Sequence, residues 1–203
     1  PMEIEKKSFE IIKGELGEEF VSRYPADALP VLCRVIHTTA DFSYRDTLTI
    51  TDGAIEKAKE EIRRGLPIIT DTTMAASGIN KTAAGKFGIE VHCFIGDEDV
   101  KAKAKESGMT RSAVSVEKAA GCYPECIYAV GNAPTALMRL YELIEEKKIR
   151  PALIIGVPVG FVNVVPSKEL ILTLPRTPYI VARGRKGGSN VAAALCNALL
   201  YQV

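Results

Sequence analysis

The chain has 203 residues, 47% of them hydrophobic and 25% charged, with 26 Lys and Arg against 25 Asp and Glu for a net charge of +1. That composition supports one substantial core, so a single domain over residues 1–203 is expected. A near-neutral chain with interspersed Lys/Glu pairs has no basic stripe to neutralise phosphates, which removes nucleic acid from the expected partners.

No apolar run reaches membrane-spanning length, and the first ten residues, PMEIEKKSFE, are charged where a signal peptide is apolar. A soluble, cytoplasmic protein without a membrane partner is expected. Five cysteines, at 33, 93, 122, 126 and 196, are spread through apolar runs and suit reduced, buried thiols. Cys122 and Cys126 in CYPEC are followed by no second Cys/His pair, so no metal site is expected.

Taken in order, Ile4 to Leu16 carries Phe9, Ile12 and Leu16 at helical spacing, with Gly14 and Gly17 marking its end. After Pro25 a second helical pattern runs through Leu29, Leu32, Cys33 and Ile36 to His37, and Arg34 shares the helical face of His37. Residues 38–51 (TTADFSYRDTLTIT) read as an irregular loop with one short edge strand. Asp52 is placed as the N-cap of a charged helix through Arg64, followed by a buried strand over PIITD (67–71).

That step repeats. A short helix is expected over 72–77, a strand over EVHCFI (90–95), a helix over 98–107 and another from Arg111. IYAV (127–130) is a strand, and Gly131 to Ala133 turn into a helix with Pro134 at its first position. Ala152 to Ile155 is a strand covered on both faces, running through Gly156 into a loop whose only polar side chain up to Pro166 is Asn163. A loop this apolar is expected to line a pocket, with a new helix capped by Ser167 just after it. YIVA (179–182), the glycine-rich turn 183–189 and an alanine-rich helix from Asn190 complete the chain.

Strands alternating with helices specify an α/β fold: a mainly parallel five-stranded sheet with helices on both faces and the ligand crevice at the carboxyl ends of the strands. Three features there bear on chemistry. GNAPTAL (131–137) offers backbone N–H groups at a helix N-terminus, suited to an anion or simply to a strand-to-helix turn. ARGRKGGSN (182–190) places Arg183, Arg185 and Lys186 beside glycines, which suggests a polyanion site, although it matches neither a P-loop nor a dinucleotide fingerprint. His92 lies inside an apolar strand and reads as a core histidine, whereas His37 ends a helix before a polar loop and can exchange a proton near neutral pH.

Taken together, KSFEII, CRVIHTTADF, TRSAVS, GNAPTAL, GVPVGFVNVVPSKE and VARGRKGGSNVAAALCNAL resemble the precorrin-8X and cobalt-precorrin-8 methylmutase family of cobalamin biosynthesis. The resemblance implies an α/β homodimer that moves a methyl group from carbon 11 to carbon 12 of a tetrapyrrole, the corrinoid (cobalt-)precorrin-8, with no added cofactor. It implies His37 as the catalytic residue and Ser8, Arg34 and Arg111 as substrate contacts. HTTADF is closer to the cobalt-containing branch. A corrinoid is a flat apolar ring fringed with carboxylates, so GVPVGFV suits its floor, and Arg34, Arg111, Arg183 and Arg185 suit its rim. Two other readings compete with the mutase: a corrinoid carrier without chemistry, and a nucleotide-dependent α/β enzyme using the GRKGGS turn.

Overall fold

The computed structural model describes residues 2–203. Its first third is mostly helical: α1 (Met2–Leu16), α2 (Glu18–Arg23), α3 (Leu29–Thr39) and α4 (Tyr44–Thr47), then strand β1 (Leu48–Ile50) and α5 (Ala54–Arg63). The middle runs β2 (Ile68–Thr70), α6 (Thr73–Gly78), α7 (Lys81–Gly85), β3 (Val91–His92), α8 (Glu98–Ser107) and α9 (Arg111–Cys122). The last third is β4 (Ile127–Val130), α10 (Pro134–Glu145), β5 (Leu153–Gly156), α11 (Val164–Leu172), β6 (Tyr179–Ala182) and α12 (Ser189–Leu200).

The six strands form one sheet in the order β1-β6-β5-β4-β2-β3. All neighbours from β3 to β6 are parallel, and β1 alone pairs antiparallel, Leu48 opposite Ala182. The five strands expected from the sequence are thus present, and the sixth is the short edge strand inside the polar loop. Among the parallel strands the order is that of a flavodoxin-like doubly wound sheet, whose direction of winding switches between β2 and β4.

Period-two alternation along these strands builds two cores, one on each face. Ile68, Ile127, Ala129, Leu153, Ile155, Ile180 and Ala182 face the first, with apolar residues of α1, α3, α5 and α12. Ile69, Tyr128, Val130, Ile154 and Val181 face the second, with residues of α9, α10 and α11. Helices therefore cover both faces, as the runs of apolar residues require.

One boundary differs in a way that matters later. Helix α11 starts at Val164, not beyond Ser167, with Asn163 in a left-handed conformation (φ 59°) at its N-cap. Ser167 and Lys168 therefore lie inside the helix, and both are fully buried. Val164, Lys168 and Ile171 are spaced to share one helical face, so the lysine inherits the burial of its apolar neighbours.

Candidate active site

Helix α3 buries Val31, Leu32, Cys33, Val35 and Ile36 and leaves His37 exposed in its last turn. Helix α1 packs across it through Ile12 and Leu16. Between them lies a cleft of about 370 Å³, lined by Ser8, Ile11, Ile36, His37 and Phe42. The Ser8 hydroxyl and His37 Nδ1 are 2.7 Å apart, and the Phe9 ring meets the imidazole edge-on at 5.8 Å. That hydrogen bond orients the ring. If Ser8 donates to Nδ1, the neutral imidazole carries its proton on Nε2; in the imidazolium both nitrogens donate. In both of these states Nε2–H is a donor, whereas the neutral tautomer in which Nδ1–H donates to the Ser8 hydroxyl leaves Nε2 an acceptor. Among the described residues Nε2 has no hydrogen-bond partner.

Arg34, one turn before His37, is held differently from a free rim cation. Its fork donates to both oxygens of Glu5, at 3.0 and 2.6 Å, and its guanidinium is sandwiched between Phe9 and Tyr201 at 5.0 and 5.1 Å. The hydrogen bonds from Arg34 hold the Glu5 carboxyl below the usual carboxylate range. A substrate carboxylate would have to take the place of Glu5 to reach this fork.

The apolar loop after β5 and the glycine-rich turn after β6 are interlocked. Gly188 N–H donates to Val157 O (2.9 Å), and Gly160 N–H donates to Arg185 O (3.1 Å). Gly187 has a φ of 158°, at the edge of the left-handed range, and a Cβ there would stand 2.0 Å from Val157 O, so its lack of a side chain is spent on loop packing. The expectation that these glycines admit a ligand is therefore corrected at Gly187 and Gly188, which meet Val157 and Asn190, while Gly184 has open space around it. Val159, Phe161 and Val162 project outward, with Phe161 83% exposed beneath the Arg185 guanidinium at 5.3 Å. The loop is thus an apolar outer surface in this chain and does not wall an enclosed pocket. Arg183 is exposed and lies 3.3 Å from Glu169. Lys186 Nζ donates to Asp41 (2.6 Å) and Ser43 (3.0 Å), tying this turn to the loop after His37.

The GNA turn at the switch point carries an anion, but an internal one. The Asp71 carboxylate, 6% exposed at the end of β2, accepts from the N–H groups of Gly131, Asn132 and Ala133 at 2.9, 2.8 and 2.7 Å. Burial pushes its carboxyl upward against the pull of these donors. Of the two readings of this turn, an anion site or a plain strand-to-helix turn, the structure combines both: the turn leads into α10 and its donors are taken by a protein carboxylate.

The structure brings Ser8, Arg34 and His37 together, and Lys186 links them to the turn bearing Arg183 and Arg185. Arg111 lies apart: it opens α9, on the other face of the sheet, and among the described residues it makes no ion pair. His92 is half-buried, bonded to Glu90 at 2.9 Å and stacked on Tyr123 at 4.8 Å. Sequence reasoning missed Glu5, Asp71 and Lys168. An acid directly after a buried strand, facing a glycine turn, was the available signal for Asp71.

Sheet order and cleft together mark the chain as a doubly wound α/β protein with a cleft that holds Ser8 and His37. A family model described as precorrin-8X methylmutase matches residues 3–202, and the chain belongs to that family. It is 44% identical to a cobalt-precorrin-8 methylmutase of Salmonella typhimurium, over 100% of this chain and 96% of that protein. A protein of the same name from Leptospira interrogans is 43% identical over 97% of this chain and 91% of its own length. The crystal structure of a precorrin-8x methyl mutase from Thermus thermophilus superposes with a TM-score of 0.88 at 37% identity, covering 98% of this chain and 96% of that one.

Proposed function

We propose that this chain, as a single domain over residues 1–203, is an isomerase of cobalamin biosynthesis that moves the methyl group of (cobalt-)precorrin-8 from carbon 11 to carbon 12. The product is the corresponding cobyrinic or hydrogenobyrinic acid. The observation that carries the reading is the Ser8–His37 hydrogen bond of 2.7 Å in the cleft, which orients the imidazole and leaves Nε2 unpaired among the described residues, a proton donor whenever the ring is in its imidazolium form. The shift breaks one carbon–methyl bond as it forms the next, so the protein has no nucleophile to supply. His37 donates a proton or strong hydrogen bond to the macrocycle and favours the rearranged tautomer.

Ser8 holds the imidazole and borders the substrate. Arg34 takes a substrate carboxylate in exchange for Glu5, and Arg111, Arg183 and Arg185 meet the others, with the Val159–Val162 surface as the apolar floor. A cleft of about 370 Å³ lies at the low end of small-molecule sites, which run to about 1,000 Å³. The exposed Ile4 and Ile11 of α1 and the exposed apolar loop support a homodimer in which a second copy completes the enclosure. The preferred substrate is the cobalt-containing one, in keeping with the HTTADF segment.

The test is anaerobic incubation of the purified protein with cobalt-precorrin-8 and, separately, the metal-free compound, following the visible spectrum and assigning the product by NMR at unchanged mass. Conversion of either establishes the mutase, and the faster one fixes the branch. Binding with a static spectrum in both overturns it.

A further inference from the structure

Lys168 is unexplained by the reaction. Among the described residues no other lysine or arginine is buried, and no carboxylate pairs with it. An ammonium taken out of water without a counter-charge is costly, so its position calls for a compensating set of acceptors. Those acceptors are two backbone carbonyls, Gly184 O and Lys186 O, each 2.8 Å from Nζ. They flank Arg185 on both sides. The carbonyl of Arg185 itself accepts from Gly160 N–H, and Gly184 makes the bend with φ 80°. With both neighbouring carbonyls drawn inward, the Arg185 side chain is left outside, over Phe161.

We infer that Lys168 is a positioning residue: its buried ammonium pins the 184–186 turn and so presents Arg185 and Phe161 as one preformed surface for the substrate's carboxylate and ring face. The inference rests on the proposed function for what the surface receives, but the pin itself is a property of the free protein. The charged groups around it are already engaged: Glu169 with Arg183, and Lys186 with Asp41. Burial lowers the Lys168 pKa to about 8, so the amine remains protonated at neutral pH and keeps three donors.

Lys168→Met keeps an unbranched apolar stem one atom shorter and deletes both hydrogen bonds. Amide hydrogen exchange of residues 183–188 in the free protein is expected to rise about tenfold or more, the equivalent of one charge-assisted bond. KM for cobalt-precorrin-8 is expected to rise about tenfold with kcat changed by less than about threefold, because the pin orients a binding surface and not the proton donor. In Lys168→Ala, propylammonium should restore both readouts in part. Unchanged exchange in the 183–188 segment, or equal losses in kcat and kcat/KM, overturns the inference. Should neither variant fold, the wild-type protein labelled with 15N-lysine decides it: a Lys168 ammonium signal protected from solvent exchange supports the pin, and a rapidly exchanging one refutes it. Wild-type protein that turns over neither substrate would sink the proposed function while hydrogen exchange still decides the role of Lys168.

Discussion

Replacing Asp71 by Asn tests whether the switch point is held by an internal anion. In the native turn Oδ1 accepts one N–H, from Gly131, and Oδ2 accepts two, from Asn132 and Ala133. The amide oxygen of Asn can keep the pair, but its NH2 then faces the Gly131 donor, so one bond is lost and a buried N–H is left opposite another. Leaving one buried donor unmade costs about 1–3 kcal/mol, and the two remaining bonds lose their charge assistance, for a total of about 2–4 kcal/mol. For a chain of this size a loss of 3 kcal/mol lowers Tm by about 6–12 °C. Urea unfolding should show the midpoint falling at constant m. Asp71→Ala opens the nest, and sulfate should then raise its Tm more than that of wild type, since three N–H groups at a helix N-terminus attract an anion. A loss below about 1 kcal/mol in Asp71→Asn would mean that solvent already serves these donors, and the reasoning fails.

Five further outcomes are expected. His37→Ala should lower turnover by about a hundred- to ten-thousand-fold while product binding persists in a spectral titration, and Ser8→Ala should cost about tenfold through loss of one orienting bond. The hydrogen bond from Lys186 holds the Asp41 carboxyl at about 2, so its contribution to stability is complete above the ordinary value of 3.8 and lost as pH falls toward 2; acid unfolding of Asp41→Asn should lack that part of the curve. Lys168 runs the other way: with a folded pKa near 8 against 10.5, the unfolded chain holds the extra proton between those values. Wild type should therefore gain up to about 3 kcal/mol relative to Lys168→Met as pH rises from 8 to 10.5, at about 1.4 kcal/mol per unit. Gly131→Ala should be strongly destabilising by thermal melting, because its Cβ would meet the backbone of Gly188 and Ser189 at 2.7–2.8 Å.

The parallel sheet was legible because apolar runs of four residues between capped helices admit few other arrangements, and β4 and β6 fall on IYAV and YIVA as read. Helices α2, α4 and α7 were not, since segments of four to six residues carry less than two turns of periodicity. Of the site, His37 was visible from its position at a helix end. The engagement of Arg34 by Glu5 was not, because a bidentate contact between separate helices leaves no local pattern. Lys168 misled for a related reason: a charged residue beside Ser and Glu reads as a solvated first turn until the helix is known to begin at Val164, which puts it on the buried face.

The link from Lys186 to Asp41 spans 145 residues of sequence, and the pairing of β1 with β6 joins the same two regions. On a ribosome, Asp41 is made 145 residues before the Lys186 that ties it down. Domain synthesis proceeds at about 5–20 residues per second, so Asp41 waits on the order of ten seconds for its lysine. The loop after His37 is therefore tied down only once residues 183–188 have been made. A product ending before Arg183 would keep Ser8 and His37, yet lack both the turn that holds Asp41 and the α12 helix packed against α3.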